Sequence, residues 1–474
     1  MKKQFQPHEK LHIFLFIGLV FILHGGSVTY QTNWSQFHGD EGHTSHADSI
    51  ISPTSITWEN TLEYHKYGVE NIYGAVSGSP VAEENRIIVL SDWMYESLPL
   101  VYPQHDYLLL CFEMEKQGLI LLWQILLPEA VIGMSPAIYK GRIIVPSGTK
   151  LLSFDLETGQ PLWETSVSFS AGTPVILHDL GMVVVITRRG FSAIDADDGS
   201  GIWTIRDLEG NQCHFFDVPT AGDGRIFVCY ETENEEGIAA FDTNGELLWK
   251  REGKIQRTCI NECFFATLYT GGILFAIDDS GTLCALDSET GITLWTYQGK
   301  TLLGNMSSDG KNLYVYSKTD EGVICLNGRT GEEIWKSPAL FAGERDVPIY
   351  VYKSLVSTQN HIFICRYSVH DIGNTQIIAL DKQTGERVWE SEELEGLEGP
   401  LIVCDNFLIA KTSSRLIGFG SQTEPIESTP PETAPPSTVP LSPEPPLKLS
   451  EWYYLVVAAG ISVVLIVYVL WKKK

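Results

Sequence analysis

One hairpin recurs along this chain. It reads LLSFDLETGQPLW, FSAIDADDGSGIW, IAAFDTNGELLW, LCALDSETGITLW, VICLNGRTGEEIW and IIALDKQTGERVW, with a weaker copy, LLLCFEMEKQGLILLW, ahead of them. Each copy is a short alternating strand, an Asp or Asn, a tight polar turn with Gly, and a second strand carrying Trp. The tryptophans are Trp123, Trp163, Trp203, Trp249, Trp295, Trp335 and Trp389, spaced by 40, 40, 46, 46, 40 and 54 residues. Self-similarity at this period is the mark of a repeat architecture. The residue types are structural: the carboxylate caps the turn, Gly supplies a left-handed backbone, and Trp fills space between units.

Further apolar runs, such as RIIVL, GRIIVP, MVVVIT and NLYVYS, precede the hairpins. That makes four short antiparallel strands per unit, the composition of a β-propeller blade. Seven Trp hairpins predict seven blades. An eighth is split: EGPLIVCDNFLIAKTSSRLIGFG (398–420) supplies three strands, and SITWENTL, with Trp58, supplies the fourth. The expected fold is all-β, an eight-bladed propeller over 54–420 closed by its N- and C-terminal strands. Closure of that kind removes the sheet edges of the split blade.

The flanks read differently. LHIFLFIGLVFIL (11–23) follows Lys2, Lys3 and Lys10, so residues 1–30 read as a signal peptide, or as an N-terminal anchor if uncleaved. Residues 421–450 hold nine prolines among Ser, Thr and Glu and read as an extended stalk. WYYLVVAAGISVVLIVYVLW (452–471) is uncharged and is followed by three lysines, so 451–474 are expected to be a transmembrane helix with a basic cytoplasmic tail. The predicted location is the cell membrane, single-pass after signal cleavage, with the propeller outside. Residues 1–30 and 451–474 each carry +2 of a net −26, so 31–450 carry about −30, which argues against nucleic acid as a partner.

The A-x-D-x-x-T-G-x-x-x-W hairpin resembles the repeat of the pyrroloquinoline quinone (PQQ) propeller superfamily. That superfamily includes quinoprotein alcohol dehydrogenases and non-catalytic relatives such as the scaffold of bacterial outer-membrane β-barrel assembly. The resemblance also gives NWSQFHGDEGHTSHAD (33–48) a place. Its His38, His43 and His46 among acidic residues raise the question of a metal site. However, Trp34, Phe37, Asp40, His43 and Thr44 match a lead-in pattern, W-x-x-F-x-x-D-x-x-H-T, that precedes the closing strand in such propellers. Residues 31–53 are therefore read as a lead-in packed on the ring, with His43 hydrogen-bonded, and no metal site is assigned.

The resemblance implies that catalytic members need PQQ, a Ca²⁺-type ion, a catalytic Asp and often adjacent cysteines. This chain has no Cys-Cys pair, and about 46 residues per blade leave little for a quinone pocket. No catalytic residue and no cofactor are predicted, with PQQ and Ca²⁺ as the alternative. Of nine cysteines, Cys229, Cys284, Cys325 and Cys365 read as small buried hydrophobes, and Cys259 and Cys263 form only an isolated pair.

Length variation falls on the face opposite the uniform D-x-x-T-G turns, at 91–106, 231–237, 336–348 and 368–374. The first of these concentrates Trp93, Tyr95, Tyr102 and His105, either as a partner-binding loop or as a segment that folds back to cover the first blade or forms a hairpin extension. Arg188 and Arg189 are expected on the same face. The function expected is a membrane-anchored, extracytoplasmic, non-catalytic scaffold for a protein or glycan partner, with a PQQ-dependent dehydrogenase as the alternative.

Overall fold

The computed structural model describes residues 34–64, 72–95, 104–115, 117–129, 134–167, 172–187, 190–253, 267–298, 302–340, 351–368, 374–397, 400–412 and 414–420. Within them lie eight four-stranded antiparallel sheets, the blades of a propeller. The first blade runs through Ile72–Glu83, Arg86–Tyr95, Gln104–Glu115 and Gly118–Leu127. In the eighth, Ile402–Cys404, Phe407–Lys411 and Arg415–Gly420 are completed from the other end of the propeller by Ile56–Thr61. That last pairing sets Trp58 opposite Gly418, and the Trp58 ring lies where a Gly418 side chain would otherwise stand. Eight blades, and closure by the two ends, agree with the expectation from the repeat.

The repeat motif makes two kinds of contact. Inside a blade, the strand-end carboxylate caps its turn: Asp155 accepts from the Thr158 N–H at 2.8 Å and the Thr158 hydroxyl at 2.6 Å. Asp287, Asn327 and Asp381 repeat this geometry with the residues that follow them. Between blades, the indole N–H donates to a backbone carbonyl in the turn of the next blade. Trp123 reaches Leu156 at 3.1 Å, Trp163 reaches Ala196 at 3.2 Å, and Trp203 reaches Thr243 at 2.9 Å. Trp249, Trp295 and Trp335 do the same with Ser288, Gly328 and Lys382. The turn glycine of the next blade lies flat against that indole. A Cβ on Gly331, whose φ is +72°, would sit 2.6 Å from the Trp295 ring.

The seventh hairpin meets the split blade, which has no such turn, so Trp389 instead packs edge-on against Phe419, with centroids 5.8 Å apart. Across the closure, the Asn60 side-chain amide substitutes for the clasp. It donates to the Leu119 carbonyl and accepts from the Leu119 N–H, both at 2.8 Å. The core follows the same logic and lies between blades; Val81 and Leu109 of the first blade cluster with Ile138, Val145 and Leu152 of the second.

Among the described residues no helix is long and apolar enough to cross a membrane. The expected signal or anchor (1–30), stalk (421–450) and transmembrane helix (451–474) lie outside the described residues.

Candidate functional site: a strapped channel and an elaborated face

The lead-in does not simply rest on the ring. It runs around the inside of one channel mouth and bonds to the innermost strand of the blades in order. The Ala82 N–H donates to the Trp34 carbonyl at 2.8 Å, and the Ile138 N–H to the Ser35 carbonyl at 2.7 Å. The Gln36 side chain donates to the Ile176 carbonyl at 3.1 Å and accepts from the Ile176 N–H at 2.8 Å. The N–H groups of Ala221, Tyr269 and Ser308 then donate to the carbonyls of Glu41, Gly42 and Thr44. Ser45 and Ala47 pair with Ser357 of the seventh blade, and the Ser49 hydroxyl donates to the Asp405 carbonyl of the eighth. Residues 34–49 therefore form a strap that touches all eight blades.

Local sequence explains its curl. The Asp40 carboxylate accepts from both the N–H and the hydroxyl of Thr44, forming a tight turn. His38, His43 and Ser45 adopt left-handed backbone angles of 56°, 56° and 48°. Such angles cost free energy for residues with a Cβ and persist where surrounding contacts enforce them. Phe37, His38 and His43 are buried together, with the Phe37 and His38 rings 4.3 Å apart. His43 Nδ1 pairs with the Thr220 hydroxyl at 3.2 Å, and His38 Nδ1 with the Ser45 hydroxyl. Burial pushes His38 down to about 3 and His43 well below its usual value, so both imidazoles are neutral. Burial raises Glu41 to about 7, with Asp40 and Asp179 adding to the shift.

Above the strap, buried hydroxyls link blade to blade. Ser135 Oγ accepts from the Ser79 N–H at 2.8 Å, and Thr173 Oγ1 from the Ser135 N–H at 3.1 Å. Thr220 and Thr267 pair at 2.8 Å, and the Ser307 hydroxyl donates to that of Ser357 at 2.7 Å. These residues escaped the sequence reading, although the small polar residues of SGSP, MSPA and GTPV at corresponding strand starts carried the signal. Ser357, His46 and Asp48 also lie in a row, at 2.8 and 3.4 Å. The row is not a nucleophilic triad, because Ser357 is wholly buried and its hydroxyl accepts from Ser307. Among the described residues no group of three or more His, Cys, Asp or Glu is arranged to hold a metal ion.

The strap lies at the ends of the inner strands next to the first turn of each blade, the same face as the D-x-x-T-G turns. The other face is irregular. The first blade extends into a long hairpin, Arg86–Tyr95 with Gln104–Glu115. Two small sheets are added, Asp207–Leu208 with Asn211–Gln212, and Asn374–Thr375 with Leu394–Glu395. A cleft of about 950 Å³ opens beside the first of these, lined by Arg206, His214, Lys250 and the 231–235 loop. Within it Lys250 pairs with Glu235 at 2.6 Å and with Glu209 at 3.0 Å.

The aromatic loop takes the form of the hairpin extension. Trp93 and Tyr95 are buried, Trp93 donates to the Ser91 hydroxyl at 2.8 Å, and Tyr64 packs on its ring. His105 faces outward, paired with Asp92 at 2.7 Å. Tyr102, Arg188 and Arg189 lie outside the described residues, as do Cys259 and Cys263. Cys229, Cys325 and Cys365 are buried and Cys284 is half-buried.

A family model described as outer membrane protein assembly factor BamB matches residues 52–204, 153–305 and 299–423. The Yersinia pestis protein of that description is 24% identical over 247 residues, covering 47% of this chain and 61% of that protein. The chain thus spans less than two thirds of this relative's length. Two solved structures share the fold. BamB from Moraxella catarrhalis aligns with a TM-score of 0.50 at 18% identity, over 78% of this chain and all of that one. Quinohemoprotein alcohol dehydrogenase from Comamonas testosteroni aligns at 0.57 and 11% identity, over 90% of this chain and 84% of that one.

Proposed function

Because the chain belongs to the family described as outer membrane protein assembly factor BamB, we propose that it is a non-catalytic propeller scaffold that presents one face of its ring to a protein or glycan partner. The observation that carries this reading is the inequality of the two faces. The strap and the repeated capped turns make one face regular. The extended hairpin, the two added sheets and the cleft at 231–235 are all on the other. Irregular loops held on a rigid frame are where recognition usually resides. In this reading residues 1–30 are the signal or anchor, 421–450 the stalk and 451–474 the membrane helix, which hold the ring outside the cell membrane. Tyr102 and His105 belong to the partner-facing side, whereas Trp93 and Tyr95 support it from within.

The test is site-specific photocrosslinking of the full chain in its native membrane. A photoreactive residue at Glu233 or His105 is expected to give adducts, and one at Thr158 or Asn244, on the regular face, none. Adducts from the regular face alone, or from neither, would reject the reading. A PQQ titration with Ca²⁺ and dye reduction checks the alternative, since saturable binding with substrate-dependent reduction would make the protein a dehydrogenase.

A further inference from the structure

The outermost strand of the first blade differs from its counterparts. The outer strands of the next six blades have four to six residues, as in Pro161–Ser166 and Glu333–Lys336, and expose one large aliphatic side chain each. Gly118–Leu127 has ten residues, GLILLWQILL, and not one charge. Ile120, Leu121, Leu122 and Leu126 are 47%, 46%, 39% and 59% exposed. One edge of the strand pairs with Gln104–Glu115. On its other side, among the described residues, Asn60 bonds its start, at Leu119. A long, uncharged, apolar edge strand is a template for another strand, and soluble proteins ordinarily blunt such edges with Lys, Pro or charge.

We propose that this strand pairs antiparallel with the same strand of a second copy of the chain, forming a two-fold dimer through the first blades. Its composition favours that occupant. Gln124 is the one polar side chain in the strand. An antiparallel register centred on it sets Gln124 against Gln124, Trp123 against Ile125, Leu122 against Leu126 and Leu121 against Leu127. Every other pair is then apolar, and the two amides can bond each other. A partner strand bearing charge would bury it among leucines, whereas a second copy brings an uncharged strand to a chain whose net charge is −26. Identical strands meeting on a two-fold axis form a closed, isologous contact that stops at two. A strand about 33 Å long covers less than the roughly 800 Å² per partner of a standard stable interface. The dimer is therefore concentration-dependent.

The test traps it on the axis. In the full chain, held in mild detergent and exposed to a mild oxidant, Gln124→Cys is expected to give a disulfide-linked dimer through position 124, identified by peptide mass. Adding Leu121→Lys and Leu126→Lys should abolish that product. Both side chains already face solvent, so unchanged circular dichroism serves as the control for folding. Asn244→Cys, on the regular face, should give no dimer. Failure of Gln124→Cys to cross-link overturns the proposal, as does a cross-link that survives the two lysines. A monomer whose thiol at 124 resists maleimide overturns it too, because the chain's own apolar segment 11–23 would then occupy the strand.

Discussion

Trp295 and Gly331 show at the residue scale how a repeat becomes a ring. The indole belongs to one blade, while its hydrogen-bond acceptor and its flat packing partner belong to the next. Gly331→Ala would need a Cβ both in a left-handed backbone and 2.6 Å from the indole. A loss of about 2 kcal/mol or more is expected, read from a urea unfolding midpoint. Trp203→Ala should cost about 3 kcal/mol by the same measurement, since it removes a half-buried ring and the bond to Thr243. Two strap residues contribute pH dependences of opposite sign. His38 is neutral when folded, with a pKa near 3 against 6.5 when exposed. Its contribution is complete above pH 6.5 and erodes as pH falls from 6.5 toward 3, by roughly 5 kcal/mol in all. Glu41 has the opposite sign: raised from 4.5 to about 7, it makes the folded state bind a proton in that window and gain stability as pH falls through it. Glu41→Gln is therefore expected to raise the urea midpoint at about pH 8 and to change it little near pH 5. An equal rise at both values would show that its charge is not what matters.

The strap is the informative element. Its histidines among acidic residues raise the question of a metal site, but its backbone carbonyls and Gln36 bond the inner strands of the ring, while Asp40 and His38 bond within the strap. Gln36 is its most exacting contact, because its amide satisfies both backbone groups of Ile176 inside the protein. Gln36→Ala leaves that N–H and C=O without their bonds and should cost about 2 kcal/mol. The strap also predicts an exchange pattern. The amides of Ile138, Ile176, Ala221, Tyr269 and Ser308 donate to it from neighbouring blades, so they should exchange as slowly as the blade cores. Faster exchange at these five alone would mean that the strap lifts off as a separate unit. The lead-in pattern predicted Trp34, Phe37, Asp40, His43 and Thr44 as residues packed on the ring, and the structure buries Trp34, Phe37 and His43. The path around eight blades was not legible, because it depends on which inner-strand amides lack a partner once the ring has closed.

For the whole molecule, closure is the vulnerable step. The eighth blade draws on strands about 350 residues apart and is tied to the first by Asn60 and by Lys411. The Lys411 ammonium is buried and donates to the carbonyls of Val76 and Gly78, both at 2.7 Å. Lys411→Ala strips two buried carbonyls of their donor and is expected to lower stability by about 3 kcal/mol. If the ring unfolds as one unit, fluorescence and circular dichroism will shift together in that variant. Separate transitions would show that the eighth blade opens before the rest.

The sequence alone determined the blade. Its period, capped turn and Trp are local features, repeated often enough that seven units and a split eighth can be counted from them. Tertiary structure decided the rest. Trp93 and Tyr95 look like a binding surface in sequence, but Tyr64 and the extended hairpin bury them. The hydroxyls of Ser135, Thr173, Thr220 and Ser307 look incidental until neighbouring blades bring their partners within reach. Local patterns fix what each segment becomes, since turns and alternation need only near neighbours. Which polar groups are spent inside the ring, and which face remains to meet a partner, depends on contacts that exist only once the ring is closed.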